Sequence, residues 1–174
     1  VARNSLKGYT YQQSVFILLL GIMDTERTIG KIVVEALDTK NFDDIYLKDV
    51  IIDACNKSSY RIQAKNYPNV CDDDIKIDEN VLSINGNKNS FDVEDNNILI
   101  VNSTLIETDD EFMGFACTKK EDIIIIPLTP KQIADKLDNM FSTEARELQI
   151  MHLADGITED AIFEIDVDKL PDII

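Results

Sequence analysis

Gln63 and Lys65 stand two residues apart in Tyr60–Tyr67 (YRIQAKNY), with apolar Ile62 and Ala64 flanking Gln63. The alternation predicts a strand that Pro68 ends, and residues at i and i+2 of a strand leave the same face. An amide and an ammonium group would therefore project side by side. Among the acids that precede them are Glu35 and the pair Asp43-Asp44, where a neighbouring strand would begin. A carboxylate and an amide oxygen can hold Mg²⁺, which polarises a phosphoryl group and lowers the pKa of bound water. A lysine beside them can orient that water and stabilise the charge that develops on phosphate. Hard oxygen donors of this kind favour Mg²⁺ or Mn²⁺ over zinc.

Spacing alone leaves other readings open. Gln63 and Lys65 also fit the exposed face of an edge strand, and Asp43-Asp44 fit a turn cap. Glu35 fits a surface charge or a structural ion pair, and Gln12 an ordinary helix-start residue. Arg61, Lys57 and Lys40 suit phosphate contacts and local charge balance equally. Asp72-Asp73-Asp74 lacks the spaced D-x-D-x-D-G pattern of a calcium loop and reads as a solvated loop.

Other chemistries are excluded more firmly. The single histidine, His152, cannot build a zinc triad and has no evident nucleophile beside it, so it reads as a helix-surface residue. No G-x-G-x-x-G or G-x-x-x-x-G-K phosphate loop occurs. Three cysteines without C-x-x-C spacing argue against paired disulfides and a structural zinc site, and fit a reducing cytoplasm.

The elements that must position these residues are legible in outline. Residues 8–22 predict a helix, with Tyr9, Gln12 or Gln13, Phe16 and Leu20 at helical spacing. Its run Val15–Met23 (VFILLLGIM) is about half the ~20 residues of a membrane span and predicts a buried helix. Strands are expected at Lys31–Leu37 and Asp44–Lys48, with Val50–Ala54 as a continuation or a bulged extension, and then at Tyr60–Tyr67. Ile75–Ile77 and Val81–Ile84 are short apolar pieces, and Asn85-Gly86 is a tight-turn signal. Asn87–Asn97 reads as a polar, mobile stretch. Ile98–Asn102 and Asp122–Leu128 are continuous apolar runs, as buried strands are. Helices are expected from Thr129-Pro130 to Phe141 and from Glu144 to Ala154. The order predicts an α/β fold, a mixed sheet with helices covering its faces.

With 174 residues, 44% of them hydrophobic, the chain suits one domain over residues 1–174 with a real core. The net charge of −16 argues at first against nucleic acid, whose non-specific binding runs on Lys and Arg. Yet residues 1–66 hold nine basic and eight acidic side chains, and residues 67–174 hold eight and 25. The segment that could do chemistry is close to neutral. The acidic remainder reads as a partner-facing surface or simply a solvated one.

The set Glu35, Asp43-Asp44 and Gln63-x-Lys65 resembles the PD-(D/E)XK nuclease superfamily, in the variant where Gln replaces the acid of E-x-K. Gly8-Tyr9-Thr10-Tyr11-Gln12, followed by an apolar helix, sharpens the likeness. Residues 8–67 resemble the N-terminal endonuclease domain of CD-NTase-associated (CBASS) and related anti-phage effectors. The resemblance implies a restriction-endonuclease-like fold and Mg²⁺- or Mn²⁺-dependent cleavage of double-stranded DNA. It implies Asp44 as the metal-binding acid, with Asp43 in its place if a bulge shifts strand parity. Gln63 would be the second ligand, Lys65 the catalytic lysine, Glu35 a further acid at the metal, and Gln12 a contributor from the first helix. Low sequence specificity is expected, because no base-reading helix with an Arg and Asn pair is evident. A homo-oligomer or partner defence protein would supply control, with no membrane, and a longer protein could carry this domain at its N-terminus. The competing expectation is a catalytically inactive assembly module or an acidic protein-interaction domain.

Overall fold

The structure, a computed structural model, describes residues 6–35, 44–92, 94, 96–156 and 162–170. Lys40, Asp43 and the side chain of Glu35 lie outside them. Eleven strands are described: β1 (Lys31–Glu35), β2 (Asp44–Ile51), β3 (Lys57–Lys65), β4 (Ile75–Asp78), β5 (Val81–Ile84), β6 (Asn87–Ser90), β7 (Asn96–Val101), β8 (Asp110–Phe112), β9 (Phe115–Lys120), β10 (Ile123–Pro127) and β11 (Ile162–Asp166). Three α-helices accompany them: α1 (Tyr11–Glu26), α2 (Pro130–Met140) and α3 (Glu144–Leu153).

Eight strands form one mixed sheet in the order β11-β1-β2-β3-β7-β10-β9-β8. β7 runs parallel to both β3 and β10, and the other neighbours pair antiparallel. The α/β expectation of a mixed sheet flanked by helices is thus met, with one correction. Among the described residues the α-helices do not cover both faces: residues of α1, α2 and α3 share a single core with Ile32, Val34, Ile45, Leu47, Ile62 and Ala64. α1 is buried almost all round, from Val15 to Met23, because the sheet lies on one side and α2 and α3 on the other. That is why its sequence is apolar rather than amphipathic. Among the described residues no helix is long and apolar enough to cross a membrane.

Over β7 and β10 the opposite face is covered by a three-stranded sheet, β4-β5-β6. Its Ile75, Leu82 and Ile84 pack with Val70, Phe91, Leu99, Val101, Ile123 and Ile125 in a second core. β7 and β10 are therefore buried on both faces, which accounts for their unbroken apolar runs. Asn85 and Gly86 join β5 to β6 with φ of 50° and 83°, the left-handed pair that a two-residue hairpin turn demands. Within the polar stretch expected over Asn87–Asn97, Asn87–Ser90 form strand β6, and Asn96 and Asn97 begin β7. Backbone pairing and the hairpin turn override its poor apolar content there.

β2 extends past Lys48 to Ile51 through a bulge, its pairing with β3 shifting between Leu47 and Val50. Asp49, inside the bulge, has φ 55°. Gly30 packs against this irregularity: its N–H donates to the Lys48 carbonyl at 3.1 Å, and a Cβ there would stand 2.9 Å from that of Asp49. Across β1, β2 and β3, the face away from the helices is open among the described residues. Val33, Tyr46 and Arg61 are only half-buried there, and Lys48 is exposed.

Candidate functional site

β3 is an internal strand between β2 and β7, which removes the edge-strand reading of Gln63 and Lys65. Tyr60, Ile62 and Ala64 face the helices, so Arg61, Gln63 and Lys65 leave the other face. Gln63 is 8% exposed and Lys65 9%. Two polar side chains buried on successive same-face positions are costly unless something polar engages them.

Asp44 is the partner of Gln63 in the β2–β3 register, at the first residue of β2. Opposed residues of an antiparallel pair have Cβ atoms about 4.5–5.5 Å apart and share a face. The structure thus brings Asp44, Gln63 and Lys65 together at one end of one face. Asp44 holds the parity expected from Tyr46, since Tyr46 pairs with Arg61 on the preceding rung. The bulge lies on the far side of that rung and leaves this parity untouched. Glu35 ends β1 one residue past the Val34–Ile45 pair, at the same end of the sheet as Asp44.

Gln63 Oε1 is buried and accepts no hydrogen bond among the described residues. A carbonyl oxygen without a donor, across from a carboxylate, is a hard-oxygen acceptor in want of a cation or a water. Asp44 and Gln63 therefore suit Mg²⁺ or Mn²⁺, which keep several waters and need only one or two carboxylates. Among the described residues no three His, Cys, Asp or Glu side chains gather as a metal site. Among the described residues, any metal at this end of the sheet would be held by this small mixed set.

Tyr9, Thr10, Tyr11 and Gln12 each have a physical role. The Tyr9 hydroxyl reaches the end of α3, at 3.3 Å from Asp155 Oδ1 and 3.4 Å from the Met151 carbonyl. Thr10 caps α1, its Oγ1 accepting from Gln13 N–H while Gln13 Oε1 accepts from Thr10 N–H. Tyr11 donates to the Leu128 carbonyl at 2.6 Å, and burial pushes its hydroxyl pKa well up. Gln12 Nε2 donates to the Ala64 carbonyl at 3.3 Å, one residue beyond the last β2–β3 pair and between Gln63 and Lys65. Gln12 thus touches the backbone that aims the two site residues.

Two features escaped sequence reasoning. The Arg61 guanidinium lies over the Tyr46 ring, its carbon 4.5 Å from the centroid; Arg61 was legible as a cation, but its partner depends on register. The second is a buried ion pair between Asp24 of α1 and Arg146 of α3, whose only signal is charge at the rim of apolar stretches. His152 lies exposed on α3, and the Asp72–Asp74 segment is a short, partly exposed 3₁₀ turn. The three cysteines are free thiols. Compared with known protein families, with curated proteins and with solved structures, the chain matches none.

Proposed function

We propose that this chain is a metal-dependent endonuclease domain of restriction-endonuclease-like type. It would cut phosphodiester bonds of double-stranded DNA, with low sequence specificity, in cytoplasmic anti-phage defence. The observation that carries the reading is the rung Asp44–Gln63: an acid opposite a buried amide oxygen that accepts no hydrogen bond among the described residues, with Lys65 two residues on. The likeness of the motif spacing to PD-(D/E)XK nucleases supplies the reaction class, and the rung supports it.

Asp44 and Gln63 would hold Mg²⁺ or Mn²⁺, with Glu35 as a further acid. The metal supplies Lewis-acid polarisation of the phosphoryl group and a bound water of lowered pKa. Lys65 sets its ammonium beside the scissile phosphate, where it orients the attacking water and balances charge gathering on the phosphoryl oxygens. Its burial strengthens that effect, because a charge acts further in a low-dielectric surround. Gln12 keeps the end of β3 in place by holding the Ala64 carbonyl. Since Gln63 is neutral, affinity for the cation would be weaker than at a two-carboxylate site, so assembly or a partner defence protein would bring the domain to its substrate.

Plasmid cleavage with and without Mg²⁺ tests this. Wild-type protein should nick and linearise supercoiled DNA only with the metal. Asp44→Ala and Lys65→Ala should each lower the rate by 10²-fold or more. Cleavage at the wild-type rate by both variants would remove the assignment, and inactive wild-type protein would favour an assembly or acidic interaction module.

A further inference from the structure

Between the second half of α1, the second half of α2 and the β8–β9 turn lies a groove of about 540 Å³, within the range of about 300–1,000 Å³ that small-molecule sites occupy. Its floor is apolar: Leu18 and Ile22 of α1, Phe115 at the start of β9, and the thioethers of Met113 and Met140. Gly114, in the turn with φ 80°, adds no side chain to the wall. The rim is polar and poor in donors. The Thr25 hydroxyl donates to the Gly21 carbonyl at 2.9 Å, and Asn139 Nδ2 donates to the Asp135 carbonyl at 2.9 Å, so each has its oxygen left to accept. Glu26 and Asp135 add two carboxyl groups, and Glu26 ends α1, where the helix dipole is negative. Lys136 is the one cation among the described lining residues, and its ammonium lies over the Phe115 ring, 4.8 Å from the centroid. None of these residues belongs to the Asp44–Gln63 site, whose side chains leave the opposite face of the sheet.

We propose that this groove binds a small organic cation, an ammonium head on an aromatic body. The floor takes the body, because thioethers are flexible and polarisable and pack well against a ring. The rim selects the head. An ammonium brings three donors and a positive charge to a set of oxygens that have acceptor capacity to spare. A carboxylate head would meet two carboxyl groups and the negative end of α1, with only Lys136 in its favour, and that ammonium is already held by the Phe115 ring. An alcohol head supplies a single donor and no charge. Binding here needs neither a metal nor nucleic acid, so it stands apart from the nuclease reading.

The test is a nuclear magnetic resonance titration of the isotope-labelled full chain at about 0.15 M salt, where diffuse attraction to the acidic chain is screened. The ligands are phenethylammonium, phenethyl alcohol and hydrocinnamate, which share one phenethyl body. The ammonium should bind saturably, with shifts centred on residues 22–26, 113–115 and 135–140. Its affinity should exceed that of the alcohol by about threefold and that of the carboxylate by about tenfold or more. Glu26→Gln should weaken the ammonium about threefold, whereas Lys136→Gln, which removes a like charge, should tighten it by about the same factor. Glu144→Gln, an exposed acid of α3 outside the groove, should leave it unchanged. Thr25→Trp, at an exposed rim position, should fill the groove and abolish binding; if that variant fails to fold, Asn139→Trp on the α2 side carries the same expectation. Equal affinities for the three ligands, preference for the carboxylate, shifts centred elsewhere, or no saturable binding would each overturn the proposal.

Discussion

Asp44 and Gln63 face each other on the last rung of the β2–β3 ladder, an acid and an amide on one face, with Lys65 extending beyond the rung. This pairing brings together residues 19 positions apart, and it sets what each substitution there should do.

Gln63→Glu would place a second carboxylate opposite Asp44. Like-charge repulsion equivalent to about one pKa unit should cost the metal-free chain about 1–2 kcal/mol. Mg²⁺ should more than restore this loss, since a ligand that binds only the folded state raises its stability. Thermal melts with and without Mg²⁺ read both effects. An equal response to Mg²⁺ in the variant and the wild type would argue against a cation between these two side chains.

Glu147 of α3 is the pH-sensitive group of the helical layer. Burial, and then the Asp138 carboxyl beside it on α2, raise its pKa from the usual 4.5 to about 7. Its Oε1 accepts no hydrogen bond. An acid whose pKa is higher when folded binds more protons in the folded state, so stability falls as pH rises. The loss should run from about pH 4.5 to about pH 7 and amount to about 3 kcal/mol. Glu147→Gln should flatten that part of the urea-denaturation profile and leave the variant more stable than wild type at pH 8. A wild-type profile without a fall in this window would contradict the assignment.

Asp24 and Arg146 join α1 to α3 with side chains only 5% and 3% exposed. Arg146 Nε donates to Asp24 Oδ2 at 2.9 Å, and its Nη1 donates to Gln149 Oε1 at 3.2 Å. Removing one partner of a buried pair strands the other charge, so Asp24→Ala should cost about 3–5 kcal/mol. The double variant Asp24→Leu with Arg146→Met should cost much less, because it leaves no orphaned charge. Equilibrium denaturation of both single variants and the double measures the coupling; simple additivity would show that the pair is not energetically linked.

Much of the architecture could be read from local signals. Thr129-Pro130 marks the start of α2 because a capping threonine and a proline suit the first turn, and Thr129 Oγ1 does accept from Gln132 N–H. Asn85-Gly86 marks a hairpin turn because few residues tolerate positive φ. The apolar run Val15–Met23 marks a buried helix. Less legible were β6, whose Asn-Lys-Asn-Ser sequence has no strand character, and the hairpin β8–β9, closed by Met113 and Gly114 with φ of 53° and 80°. Those strands form because a neighbouring strand offers hydrogen bonds, a condition no local window contains.

For the candidate site the division is sharper. The sequence by itself determined that Gln63 and Lys65 project side by side, since the strand repeat of two follows from backbone geometry alone. It also determined that the acidic excess lies outside this segment. Only the tertiary structure decided that Asp44 stands opposite Gln63, that Arg61 rests on Tyr46, and that the half of this sheet face over β7 and β10 is covered by β4-β5-β6. Those relations depend on which strands pair, in what register, and against which layer. They are selected by the burial of apolar side chains from distant parts of the chain, such as Ile45 and Ile62 against α1, rather than by any property of the site residues themselves.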